Sequence, residues 1–78
     1  MIGDLHIKVL GCLFREGDLT ASKLTLLVGA SRDSVGVTLR RLREHGFIEI
    51  HEPWKHRPVY GLSVAGMERV VELRNFLR

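Results

Sequence analysis

Val28-Gly29-Ala30-Ser31 joins two stretches of helical periodicity, Thr20–Val28 and Ser31–His45. Gly29 breaks the first, because glycine enters the left-handed region at little steric cost. Ser31 offers a hydroxyl to the unpaired N–H groups that open the second. Two helices joined by so short a turn around glycine form a helix-turn-helix. Thr20 is a matching cap for the first helix, and Leu19 with Leu24 has the spacing of a hydrophobic staple. Leu24, Leu27 and Val28 are predicted to face inward, as are Val35, Leu39 and Leu42 of the second helix, with Thr38 at the edge. At about 100° per residue the opposite face carries Asp33, Val37, Arg40 and Glu44, flanked by Ser34, Gly36 and Arg41.

Upstream, Gly3 to Arg15 carries two apolar stripes: Ile2, Leu5, Val9 and Leu13 on one, and Ile7, Leu10 and Phe14 on the other. A helix against a single core needs one stripe, so two predict cover on two sides. Gly17 is the expected left-handed stop. Downstream of Gly46, Phe47 to His51 alternates as a half-buried strand, with Ile48 and Ile50 on one side. Pro58 to Leu62 is its partner. The intervening Glu52 to Arg57 is read as a loop, stiffened by Pro53 and Pro58, which cannot extend a ladder. Ser63 is a credible N-cap for a last helix, Ser63–Arg78, whose apolar residues cover more than half of its circumference.

The 78 residues allow one domain. A chain of this size buries only roughly 60% of its unfolded surface, so its core is marginal without help. One cysteine excludes a disulfide framework and points to a reducing, cytoplasmic setting. No apolar run approaches the ~20 residues of a membrane span, and the N-terminus lacks a basic region followed by an apolar run. Self-association is the remaining source of stability. The net charge of +3 is mild, but nine of the twelve basic residues are arginine, which makes planar, bidentate contacts to phosphate and guanine.

Three patches carry a resemblance: Leu24 through Ser31; Leu42-Arg43-Glu44-His45-Gly46-Phe47-Ile48; and Arg57-Pro58-Val59-Tyr60-Gly61-Leu62-Ser63-Val64-Ala65-Gly66. With the element order, they make the chain resemble a winged helix-turn-helix protein, most like the MarR and PadR groups of transcription regulators. The expected fold class is α+β, mainly α: three helices, a β-hairpin wing and a C-terminal helix, over residues 1–78 as one domain. Members of those groups are typically longer, with longer dimerisation helices and often a ligand pocket. The resemblance implies a cytoplasmic, nucleoid-associated regulator, a repressor being the simpler expectation.

A helix fits the major groove of B-DNA, and its N-terminal half reaches base edges. The candidates there are Ser31, Arg32, Asp33, Ser34, Gly36, Val37, Arg40 and Arg41. Arg40 or Arg41 suits guanine or phosphate, Asp33 suits cytosine, Val37 a thymine methyl, and Gly36 a close approach. Four arginines against Asp33 alone give residues 32–43 a net charge of +3. A solvated helix face is the plainer alternative. In the wing, Lys55 and Arg57 suit backbone or minor groove, with Trp54 and His56 beside them; Trp54 serves equally as packing. Thr20, Ser22 and Lys23 suit a phosphate at a helix N-terminus, Thr20 being equally a plain cap.

The four histidines lack the spacing of a zinc or catalytic site, and no nucleophile–base pair or phosphate loop is present. No enzyme activity, metal or cofactor is expected, and no residue names a small-molecule effector. Cys12 reads as a buried, inert thiol with no positive cluster near it. The surplus apolar surface near 3–15 and 63–78 predicts a homodimer, with Leu5, Val9, Leu13, Val70, Leu73 and Leu77 as interface candidates. The expected partners are double-stranded DNA and a second copy. Two alternatives stay open: a nonspecific chromatin protein using mostly phosphate contacts, and a protein-docking module.

Overall fold

The computed structural model describes residues 3–54 and 57–76, with the side chains of 52–54 and 76 left aside. The element order is α1 (Asp4–Glu16), α2 (Ala21–Val28), α3 (Arg32–Glu44), β1 (Ile48–Trp54), β2 (Arg57–Leu62) and α4 (Val64–Phe76). This is the winged helix-turn-helix arrangement, mainly helical with one antiparallel hairpin.

Three hydroxyls start three helices. Thr20 accepts the Lys23 N–H at 3.2 Å and caps α2. Ser31 accepts the Ser34 N–H at 3.2 Å and caps α3. Ser63 accepts the Gly66 N–H at 3.0 Å and donates its own proton to the Gly46 carbonyl at 2.6 Å. Between α2 and α3, Gly29 sits at φ 67°, ψ 36°, and its N–H returns to the Thr25 carbonyl. Gly17 differs from expectation. Its φ is positive, at 84°, but its ψ of −156° is extended, so the chain leaves α1 straight instead of curling back.

That exit places Leu19 alongside the hairpin. The Leu19 N–H donates to the Tyr60 carbonyl at 2.9 Å, and the Tyr60 N–H donates to the Leu19 carbonyl at 2.7 Å. The hairpin therefore gains a one-residue third strand on the β2 side. On the other side, β1 pairs with β2 from Ile48–Leu62 to His51–Val59, and again at Trp54–Arg57 after an irregularity. The strands thus run further than the expected loop allowed. Pro53 falls within the irregular stretch, where no regular ladder hydrogen bond requires its missing N–H.

The core joins all elements. Val9, Leu10, Cys12 and Leu13 of α1 meet Leu24, then Val35, Leu39 and Leu42 of α3, then Ile48 and Val70. This corrects the interface expectation: Val9, Leu13 and Val70 are at most 5% exposed and spend nearly all of their surface on the core. Leu5 and Leu73 are half-buried, and Leu77 lies outside the described residues. The physical reason lies in the α1 wheel. The core takes the arc where the two stripes meet, and leaves Ile7, Gly11 and Phe14 as the outer face. Leu27 is likewise 44% exposed instead of inward. These residues, with Val28 and Val70, line an open groove of about 740 Å³ between α1, α2 and α4. Cys12 is buried as expected, but Arg15 donates to its sulfur at 3.7 Å, and Lys8 and Arg74 line the same groove. The absence of nearby positive charge is therefore corrected too.

Candidate nucleic-acid interface

α3 turns Val35, Thr38, Leu39 and Leu42 into the core, which fixes its rotation. The opposite face, exposed, carries Arg32, Asp33, Ser34, Gly36, Val37, Arg40, Arg41, Arg43 and Glu44. Val37 is 40% exposed. It shares a shallow depression with Leu5, Asp33, Ser34 and Thr38. A Cβ built on Gly36 would meet nothing within 4 Å, so no neighbour in the chain requires glycine there. Ser31 and Ser34 join their hydroxyls at 2.9 Å beside the first turn. Among the described residues the ion pairs are Glu49–His51 and Arg69–Glu72. The four arginines of α3 take part in neither, so their charge is available to an anionic partner.

The wing base reaches the start of α2. Arg57 and Pro58 line one groove with Thr20, Ala21 and Ser22. The Leu19–Tyr60 bridge produces this meeting by clamping the residue before the Thr20 cap onto β2. Thr20 spends its hydroxyl on the Lys23 N–H, which favours the capping role. Ser22 and Lys23 are exposed. Trp54 lies opposite Arg57 in the ladder. Lys55 and His56 lie outside the described residues.

Two features were not anticipated. Arg43 is exposed on α3 beside the expected contacts, and its place on the wheel was the available signal. His6, Arg41, His45 and Arg69 line a common pocket, although they come from α1, α3 and α4. No spacing in the sequence links them. Burial holds the His6 imidazole below its ordinary 6.5, with Arg41 and then His45 adding to the shift.

No family model matches the sequence, and no curated protein matches it. Solved structures match throughout the fold. BpsR from Bordetella bronchiseptica, whose DNA binding is regulated by 6-hydroxynicotinic acid, aligns at TM-score 0.89 with 16% identity, over 97% of this chain and 55% of that one. MepR, a transcription regulator of the Staphylococcus aureus multidrug efflux pump MepA, aligns at 0.90 with 21% identity, over 96% and 57%. Wild-type MarR from E. coli, in its apo form, aligns at 0.84 with 19% identity, over 91% and 54%. The winged helix-turn-helix fold is thereby shown. The chain spans about half the length of these relatives.

Proposed function

We propose that the chain is a sequence-specific, double-stranded-DNA-binding transcription regulator, acting as a homodimer and most simply as a cytoplasmic repressor. One observation carries this reading: four arginines free of ion pairs among the described residues flank the small apolar strip of Gly36 and Val37 on the exposed side of α3. A solvated helix has no use for an exposed valine between arginines. A helix in the major groove does, because a valine meets a thymine methyl while arginine pairs with guanine. The groove shared by Arg57 and the start of α2 supplies a second anchor on the DNA backbone. The likeness of the fold to that of transcription regulators supports the same reading.

The dimer reading moves to a new surface. With Val9, Leu13 and Val70 in the core, the partner covers Ile7, Phe14, Leu27 and Val71. A self-complementary contact on such a face relates two recognition helices by a two-fold axis, and their half-sites fall about 34 Å apart. A protein bound there blocks polymerase without touching it.

Selection from a randomised duplex library at ~150 mM salt tests the proposal, since phosphate attraction alone is weak there. The expected result is a two-fold symmetric consensus. Enrichment of nothing removes the regulator reading. A repeat at low salt then separates a nonspecific chromatin protein, which binds every duplex, from a docking module, which binds none.

A further inference from the structure

The pocket of about 470 Å³ where α1, the end of α3 and α4 converge gathers two arginines and two imidazoles against one lining carboxylate. Arg41 and Arg69 line it with the imidazoles of His6 and His45, over Leu42 and Phe47. Phe47 is the platform. The His45 ring stacks on it with centroids 5.9 Å apart, and the Arg69 guanidinium carbon lies 6.0 Å from the same ring centroid. Two carboxylates are close. Glu44 lines the pocket and is exposed, and Glu72 accepts from one terminal nitrogen of Arg69 at 3.3 Å. The Arg69 Nε stays buried with no acceptor among the described residues. A guanidinium that lines a pocket is a natural partner for an oxyanion.

We propose that this pocket is a binding site for a small oxyanion, of the phosphate or carboxylate class, held by Arg41, Arg69 and the imidazoles of His6 and His45. Its size lies within the range of small-ligand sites. His6 makes the site sensitive to pH. In the empty pocket, burial lowers the His6 pKa from its ordinary value, and the neighbouring Arg41 and His45 lower it further. An anion opposes that shift, so its binding takes up protons and tightens as pH falls toward the lowered His6 value. Arg41 also belongs to the exposed side of α3, so an anion in the pocket draws a charge away from DNA. That consequence rests on the DNA-binding reading; the anion site itself does not.

The test is a titration of the full chain with inorganic phosphate against sodium chloride of equal ionic strength, following the 15N-labelled imidazoles by NMR. His6 and His45 are expected to move together along one saturating curve, with the His6 pKa rising. His51, which pairs with Glu49 on the wing, is the internal control and stays still. Arg69→Gln and, separately, Arg41→Gln are expected to weaken saturation at least ten-fold while preserving the spectrum of the folded chain. Linear shifts, equal movement of His51, or full saturation in both variants overturns the proposal. A short duplex at low salt identifies the source of the anion. If the duplex moves His6 and His45 along a saturating curve and phosphate does not, the pocket belongs to the DNA surface and the small-anion site is overturned. If phosphate saturates the site and no duplex binds at all, the anion site stands and the DNA reading falls.

Discussion

Gly36 separates two demands on α3. In the middle of a helix, glycine costs about 1 kcal/mol relative to alanine, and here no neighbour within 4 Å of a built Cβ accounts for that cost. Gly36→Ala is therefore expected to stabilise the isolated chain by about 1 kcal/mol, a rise of roughly 4–8 °C in Tm. Its duplex affinity is expected to fall, because the new methyl stands between the helix backbone and the groove floor. Unchanged affinity in a binding titration would show that α3 does not approach DNA at this point. Arg40 gives a cleaner measure of readout, since Arg41 also serves the pocket beside His6. If Arg40 pairs with guanine, Arg40→Ala costs about 1–3 kcal/mol and relaxes preference at one base position. If it grips phosphate, affinity falls evenly across sequences and the salt slope drops by about 0.9. A competition assay across single-base operator variants at two salt concentrations distinguishes the two, and no change in either readout would sink the placement of Arg40 at DNA.

The elements differ in how plainly their sequences announce them. α2, α3 and α4 begin on Thr20, Ser31 and Ser63, and each hydroxyl does locally what its position predicts, because capping involves residues three apart. The turn at Gly29 is equally local. Features that depend on distant partners were not legible. Which α1 stripe meets the core depends on α3 and α4, and the Leu19–Tyr60 bridge closes a separation of 41 residues. Pro53 and Pro58 argued for an early end to the strands, but the ladder accommodates them by its irregularity. The same limit applied to the site. The α3 face followed from helical period alone, whereas the pocket of His6, Arg41, His45 and Arg69 required the tertiary fold. The junction of the wing with α4 is the tightest of these long-range contacts. A Cβ on Gly66 would collide with the Phe47 carbonyl oxygen and crowd Leu62. That carbonyl cannot swing aside freely, because it accepts the Ser63 N–H at 3.1 Å. Gly66→Ala is expected to destabilise the chain by about 2–3 kcal/mol in urea unfolding, although alanine is the better helix former. A neutral or stabilising result would show that α4 shifts on the wing base without cost.

At the scale of the molecule, the apolar surface outside the core is unevenly spread. Ile7, Gly11 and Phe14 of α1 and Leu27 of α2 line one groove with Val70 of α4, while Val71 is exposed one residue further along. The α3 face, by contrast, is charged along most of its length. This separation suits the proposed reading, in which one side meets a second copy and the other meets DNA. Gly11 lies in the floor of the groove, and a Cβ there would touch nothing within 4 Å. Gly11→Lys therefore fits the isolated chain and replaces a poor helix former with a better one, so folding is retained. In the proposed dimer the same substitution would drive two lysines into a self-complementary contact that Lys8, Arg15 and Arg74 also line. Sedimentation at micromolar concentration is expected to give twice 8.9 kDa for the unaltered chain and 8.9 kDa for the variant, with equal helical content by circular dichroism. Half-site affinity is expected to persist in the variant, because each α3 is intact. The added tightness for a two-fold site is expected to vanish, because it comes from linking two binding events. A single 8.9 kDa species for the unaltered chain would overturn the dimer. A variant that stays dimeric would place the contact elsewhere, leaving the groove between α1, α2 and α4 open in the assembly.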